Sequence, residues 1–244
     1  MATDYNQIAK EYQASKLLPW RMYAEAFTFF NIIGDLTGKD VLDLACGEGF
    51  YSSQFKLRGA HRVTGVDISS EMIALARASE QANPIGVEYH VEDVLNLNLN
   101  HEYDCVCASF LLNYAQNAEE LQQMLMVISR HLKPGGKFVT INSNPDYKAE
   151  KAVLRKYGFT RENIGTDDGS ETIYCLYLED GSHINITNYN LSKAVHENAF
   201  QQAGFSGVTW DEIVISPEGN EAFGEDYWKE ITMSKPVTVI SATK

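Results

Sequence analysis

Two glycines and two acids within one short stretch have the types and spacing of a nucleoside site. Gly47 and Gly49 lack Cβ atoms, so a ligand can approach their backbone closely. Asp67 lies about 20 residues beyond the first glycine, the offset at which a carboxylate accepts hydrogen bonds from ribose hydroxyls. Asp43, just before the glycines, suits a ligand with an ammonium or sulfonium group. The stretch therefore predicts binding of a nucleoside that carries a positive charge.

The elements around these residues must bring them to one place. Residues 41–44 and 63–66 are short apolar runs typical of buried strands, and Phe50, Phe55 and Leu57 between them recur at roughly helical spacing. The order strand, glycine loop, helix, strand is a parallel βαβ half. Such a unit places the glycine loop and the strand-end carboxylate at one edge of a sheet, where open α/β folds bind ligands.

A dinucleotide-binding oxidoreductase is the first alternative for such a unit. That fold places a third glycine where this chain has Ser52, and Asp43 would repel a diphosphate. Both residues disfavour a nicotinamide cofactor.

The same residues carry a family resemblance. Residues 43–49 (DLACGEG) resemble motif I, and residues 63–69 (VTGVDIS) resemble motif II, of the class I methyltransferases that depend on S-adenosylmethionine (SAM). The similarity extends over residues 39–141. The flanking segments are most similar to the toxoflavin synthase-like small-molecule methyltransferases, on the basis of residues 5–9, 18–21, 155–159, 188–192 and 216–219.

The resemblance implies an α/β, Rossmann-like methyltransferase fold. Its sheet would be mostly parallel and seven-stranded, with an antiparallel edge strand. We expect one domain over residues 1–244. Its parts are an N-terminal helical lid (1–36), a SAM-binding half (37–141), an inserted β-hairpin cap (142–191) and the C-terminal part of the sheet (192–244).

The expected cap rests on a hairpin pattern. Residues 171–178 and 183–190 alternate in strand fashion around Asp180-Gly181, a strong hairpin signal. An antiparallel hairpin cannot join a parallel sheet through short connections, so we expect it to cover the strand ends and to define acceptor specificity. A dimer surface or plain structural support is the alternative.

The resemblance also implies which residues hold the cofactor SAM, whose product is S-adenosylhomocysteine (SAH). Asp67 would bind the ribose, Asp93 the adenine amino group, and Arg21 the methionine carboxylate; an ordinary exposed charge is the alternative for Arg21. The full predicted cofactor set is Tyr5, Tyr12, Arg21, Asp43, Ala45, Gly47, Gly49, Asp67, Ile68, Glu92, Asp93, Val94 and Ser109.

The expected reaction is methyl transfer by in-line displacement to a nitrogen or oxygen of a small, planar or heteroaromatic metabolite, such as a toxoflavin-type azapteridine. The protein then mainly aligns the reactants and excludes water, and a general base is optional. Tyr114 and His183 are the candidate catalytic groups. The predicted acceptor-binding residues are Trp20, Asn113, Tyr114, Asn142, Asn144, Tyr174, Asn188 and Tyr189.

Two other functions remain open from the sequence. One is methylation of a different small amine or carboxylate, and the other is a noncatalytic SAM-binding module whose cap binds a partner protein. A formal charge of −13 without a Lys/Arg cluster disfavours nucleic acid. No apolar run is long enough to span a membrane and no leader pattern is present, so we expect a cytoplasmic protein, monomeric or homodimeric. The four cysteines lack metal-ligand spacing, so no metal is expected.

Overall fold

The computed structural model describes residues 4–148, 151–178 and 181–244. Its strands are β1 (Asp40–Leu44), β2 (Arg62–Asp67), β3 (Val87–Val91), β4 (Tyr103–Ser109), β5 (Leu132–Ser143), β6 (Phe159–Asn163), β7 (Ser170–Tyr177), β8 (His183–Asn190), β9 (Ser206–Glu212) and β10 (Val237–Thr243). Its α-helices are α1 (Ala9–Ser15), α2 (Phe27–Ile33), α3 (Phe50–Leu57), α4 (Ser70–Ala82), α5 (Ala118–Arg130), α6 (Lys193–Gln202), α7 (Pro217–Phe223) and α8 (Glu225–Ser234).

Seven strands form the main sheet, in the order β3-β2-β1-β4-β5-β10-β9. Strands β1 to β5 pair in parallel with one another, whereas β10 runs antiparallel to both β5 and β9. The predicted Rossmann-like methyltransferase fold is confirmed, including the antiparallel pairing at one edge. The strand order reverses between β1 and β4, and open α/β sheets bind ligands at such a switch point.

Local sequence signals set the helix starts that surround this edge. Ser69, Asn117 and Ser192 have extended backbones, and each side chain accepts a hydrogen bond from a backbone N–H in the first turn of α4, α5 or α6. Ser and Asn are preferred N-cap residues, so the sequence predicts these three helix starts and the structure confirms them. The helices pack on strands whose inward residues, such as Leu42 and Val106, are fully buried.

The N-terminal segment departs from the two regular helices predicted over residues 4–33. After α1, a π-helical turn (Arg21–Ala26) runs directly into α2. Arg21 and Glu25 lie within this turn, where both are buried and form an i,i+4 ion pair. Hydrophobic spacing at the α-helical period does not reveal such a turn.

The cap is a three-stranded antiparallel sheet in the order β6-β7-β8, rather than the predicted two-stranded hairpin. Strands β7 and β8 match the prediction, and the turn residue Asp180 lies outside the described residues. Strand β6 was missed because its sequence, FTREN, contains two charged residues and lacks a clear alternation. Its Arg161 is nevertheless buried.

One apolar cluster joins the N-terminal segment, the cap and the C-terminal helices. It contains Trp20, Tyr157, Tyr174 and Trp228 among others. Helices α7 and α8 were not predicted from the sequence, and α8 contributes Trp228 and Ile231 to this cluster. The apolar pattern predicts the following edge strand over residues 208–215, whereas β9 begins two residues and ends three residues earlier. None of the helices in the described ranges is both long enough and apolar enough to cross a membrane.

Candidate functional site

A crevice of about 300 Å³ opens at the carboxyl ends of β1 to β4. It lies at the switch point of the sheet, and the N-terminal segment closes one side of it. Most predicted cofactor residues line it. The lining residues are Tyr5, Tyr12, Leu44, Ala45, Gly47, Val66, Asp67, Ile68, Met72, Glu92, Asp93, Val94, Leu95, Ser109, Phe110, Leu111, Tyr114, Gln116, Glu120 and Met124.

The Asp67 carboxylate is held by backbone N–H groups from the loops that follow β1 and β2. Its Oδ2 accepts a 2.8 Å hydrogen bond from the N–H of Gly47, and its Oδ1 accepts a 2.9 Å bond from the N–H of Ser69. Burial raises the pKa of Asp67, and these two backbone donors oppose that shift. Each carboxylate oxygen keeps a further lone pair, so Asp67 can also accept hydrogen bonds from a sugar.

The glycines of the loop have different tasks. Gly47 (φ 56°) lines the crevice and leaves its backbone open to a ligand. Gly49 (φ 86°) does not line the crevice, because it lies under Tyr89: a Cβ there would come within 2.8 Å of that ring's Cζ. A glycine is therefore needed at position 49 because Tyr89 leaves no room for a side chain. Gly49 was predicted to contact the cofactor, but it is not among the residues that line the crevice.

Asp43 also lies behind the crevice rather than on it. Its side chain is 2% exposed, and its Oδ2 accepts a 2.5 Å hydrogen bond from Ser52 Oγ. Burial raises the pKa of Asp43 to about 7, while the Ser52 bond and the nearby Lys16 lower it. Ser52, in the place of the third glycine of a dinucleotide site, is thus the direct partner of this acid.

At the third strand end, Asp93 caps a short 3-10 helix (Val94–Asn96) by accepting a 3.0 Å hydrogen bond from the N–H of Leu95 at its Oδ1. It lines the crevice together with the exposed Glu92 and Ile68. This arrangement leaves Oδ2 of Asp93 available to a ligand.

A second, inner cavity of about 20 Å³ lies between the crevice and the cap. Tyr5, Tyr12, Phe110 and Tyr114 line both cavities. The remaining inner lining combines the N-terminal segment with the cap: Trp20, Arg21, Tyr174, Leu176, Ile186 and Asn188. The inner cavity therefore brings together four of the predicted acceptor residues: Trp20, Tyr114, Tyr174 and Asn188. Arg21 also lines this cavity, but it does not line the crevice.

The hydroxyls of Tyr5 and Tyr114 are hydrogen-bonded to each other where the two cavities meet. Burial raises the pKa of both phenols well above the ordinary value. A phenol with a raised pKa stays protonated at neutral pH, so Tyr114 is a poor general base and keeps its hydroxyl proton.

The other predicted residues line neither cavity. Asn113 bonds Ser143, the amide oxygen of Asn142 accepts from Thr140, and Asn144 bonds the Lys235 carbonyl. The structure thus gives these amides structural partners. His183, which is exposed on the cap, and Tyr189 are also absent from both linings.

Phe110 in the lining and Lys16 beside it are among the residues that were not predicted from the sequence. Phe110 has a positive φ of 63°, which turns its ring into both cavities, and no sequence signal shows such a conformation in a phenylalanine. Lys16 is 7% exposed, with its ammonium 5.2 Å from the ring centres of both Tyr12 and Tyr51. In the part of the chain that the structure describes, no cluster of His, Cys, Asp and Glu could hold a metal ion.

Part of the chain is similar in sequence to known methyltransferases. Residues 41–136 match the family model of the methyltransferase domain. A ubiquinone biosynthesis O-methyltransferase from Pseudomonas savastanoi pv. phaseolicola is 35% identical over 138 residues, covering 54% of this chain and 57% of the relative. One of the same description from Coxiella burnetii is 32% identical over 142 residues, with 57% and 59% coverage. The chain thus spans just over half the length of these relatives.

Solved structures share the fold over nearly the whole chain. A SAM-dependent methyltransferase from Mesorhizobium loti has a TM-score of 0.66 at 19% identity, covering 94% of this chain and all (100%) of the other. The structure described as a DhpI–SAH complex has a TM-score of 0.60 at 20% identity, with 98% and 92% coverage. At these identities, the likeness shows the fold.

Proposed function

We propose that this chain is a SAM-dependent methyltransferase that acts on a small molecule. The observation that carries the proposal is the crevice, where Gly47, Asp67 and Asp93 lie at three successive strand ends. All three fall inside the segment that matches the methyltransferase domain model. The DhpI neighbour, described as an SAH complex, supports the choice of cofactor.

The residues present fit SAM. Asp67 has free lone pairs for the ribose hydroxyls, Asp93 has a free oxygen for the adenine amino group, and Gly47 offers open backbone. SAM supplies a methyl group that its sulfonium has already activated. The chain itself therefore needs no metal and no nucleophilic triad; its residues orient the reactants and keep water out.

The aromatic side chains between the two cavities support a planar acceptor. Tyr5, Tyr12, Phe110 and Tyr114 present rings or ring edges on which a heteroaromatic compound can lie. We propose a nitrogen or oxygen of such a metabolite as the methyl acceptor, with a toxoflavin-type azapteridine as one example. The relatives named as ubiquinone biosynthesis O-methyltransferases favour oxygen. The net charge of −13 argues against a nucleic-acid acceptor.

Calorimetry with SAH and NAD tests the cofactor, and incubation with methyl-labelled SAM and a metabolite extract tests transfer. We expect SAH binding, no NAD binding and label in a small product. Binding of NAD without SAH would refute the proposal. Binding of SAH without label in any small molecule would instead favour the noncatalytic SAM-binding module.

A further inference from the structure

The polar atoms that lack a partner in the inner cavity are all hydrogen-bond donors. Within the described ranges they are Trp20 Nε1, Arg21 Nε and Nη1, and Asn188 Nδ2. Each of these side chains is at most 4% exposed. A buried donor without a partner is unfavourable, so the lining favours a ligand that brings acceptor atoms.

The guanidinium of Arg21 is only partly compensated. Its Nη1 lies 3.7 Å from Oε1 of Glu25, an oxygen that already accepts a 2.8 Å hydrogen bond from Tyr51. Rings of Tyr12 and Trp20 lie at 5.3 and 5.2 Å from the guanidinium carbon and hold the group in place. A planar guanidinium with two free N–H groups has the geometry to bind a carboxylate-type oxygen.

A second buried arginine adds positive charge on the cap side. Arg161 is 1% exposed; its Nη1 donates to the carbonyls of Asn144 and Pro236, while its Nε and Nη2 have no partner among the described residues. Arg161 pairs with Tyr174 across β6 and β7, so the two side chains share one face of the cap. A buried cation favours an anion nearby, because the low dielectric strengthens their attraction.

We propose that the acceptor carries an acidic group, whose carboxylate-type oxygen enters the inner cavity and accepts hydrogen bonds from Arg21 and Asn188. This inference rests on the proposed methyltransferase function. At about 20 Å³ the inner cavity is far smaller than the crevice of about 300 Å³, so we place only the acidic group in it. The ring of the acceptor therefore lies on the aromatic side chains that line both cavities. Among small acceptors, the inference selects carboxylates and acidic heterocycles over amines.

The carboxylate of SAM itself is another source of the same chemistry, so the test must separate the two. The first measurement uses the unmodified protein saturated with SAH and two probes of the same ring, benzoate and benzylamine. We expect benzoate to bind at least about tenfold more tightly than benzylamine, a difference of about 1.4 kcal/mol. Equal binding, or tighter binding of benzylamine, overturns the inference. Failure of SAH to bind would instead refute the proposed function.

The second measurement compares Arg21→Met with Arg58→Met, which removes an exposed arginine that also stacks on an aromatic ring, that of Phe30. We expect Arg21→Met to weaken the binding of benzoate by about tenfold or more and to leave the affinity for SAH within about threefold of the wild type. Arg58→Met should change neither affinity.

The outcome that would contradict this prediction is measured with 5′-methylthioadenosine, which lacks the amino-acid part of SAH. If Arg21→Met weakens SAH about tenfold, leaves methylthioadenosine unchanged, and benzoate competes with SAH, then Arg21 binds the cofactor and the inference is wrong. The benzoate–benzylamine comparison does not depend on whether the variants fold.

Discussion

The backbone N–H of Gly47 donates a 2.8 Å hydrogen bond to Oδ2 of Asp67. This bond joins the loop after β1 to the end of β2, so the glycine loop and the acid form one unit without any ligand. Under the proposed function Asp67 has two roles: it fixes the loop, and its remaining lone pairs accept hydrogen bonds from the ribose of the cofactor. Changes at this residue should affect stability and cofactor affinity together.

Replacement of Asp67 by alanine should weaken SAH binding by about 1.5–3 kcal/mol, the scale of hydrogen bonds to a charged group. It should also lower the melting temperature, because the N–H groups of Gly47 and Ser69 lose their acceptor. Calorimetry and thermal unfolding measure the two effects. Asp146→Ala, at an exposed acid that lines neither cavity, is the control. Unchanged SAH affinity in Asp67→Ala would place the nucleoside elsewhere.

Gly49→Ala should destabilise the fold more than Gly38→Ala. Both glycines have positive φ, 86° and 73°, so both substitutions introduce backbone strain of about 1 kcal/mol or more. Only at Gly49 would the new Cβ also contact Tyr89; at Gly38 nothing lies within 4 Å. We expect an additional loss of about 1–3 kcal/mol at Gly49 in denaturant unfolding. Equal losses at the two sites would contradict the packing role of Gly49.

The buried acid Asp43 should make stability depend on pH. Its pKa is raised by burial from 3.8 to about 7, so between these values the unfolded chain releases a proton that the folded chain retains. The contribution of protonated Asp43 to the free energy of unfolding is fully present below about pH 4 and is lost as the pH rises to about 7. Asp43→Asn, which keeps a partner for Ser52, should remove this dependence.

Unfolding free energies of the wild type and Asp43→Asn measure this contribution directly. Between pH 4 and pH 7.5, the unfolding free energy of the wild type should fall by about 1–4 kcal/mol relative to that of Asp43→Asn. Other titrating groups cancel in the difference. A difference that stays constant with pH would show that Asp43 ionises normally in the folded protein.

Tyr5→Phe and Tyr114→Phe should have similar effects, because each removes one hydroxyl of the same hydrogen bond. A double-mutant cycle on SAH affinity or stability should give a coupling of about 0.5–1.5 kcal/mol. The raised pKa of Tyr114 argues against a role as general base. Once an acceptor is known, a far larger loss of kcat in Tyr114→Phe than in Tyr5→Phe would restore that role.

His183→Ala should leave SAH affinity and methyl transfer within about twofold of the wild type, because surface changes away from a site have small effects. The imidazole is exposed at the start of β8 and lines neither cavity. Initial rates across pH 6–8 with an identified acceptor provide the measurement. Loss of the acidic limb of the pH profile, where a general base becomes protonated, would mean that the cap moves His183 onto the acceptor.

The proposed nucleoside half of the site could be predicted from the sequence because its residues are close together along the chain. Gly47 and Asp67 flank one βαβ unit, and the geometry of parallel strands brings their ends together whatever surrounds them. The caps at Ser69, Asn117 and Ser192 were readable for the same reason, since each acts within one helical turn.

The inner cavity could not be read in this way, because its lining comes from segments far apart in sequence. Arg21 turns inward through a π-helical turn, Phe110 through a positive φ, and Asn188 arrives on a cap strand. The position of Gly49 under Tyr89 is likewise a matter of packing. The sequence by itself determined the βαβ unit and the edge proposed to bind the nucleoside, since both follow from local periodicity and short spacing; the rest of the predicted sheet came from the family resemblance. Only the tertiary structure decided which residues face the second cavity and that their free groups are donors, since this depends on contacts between distant segments.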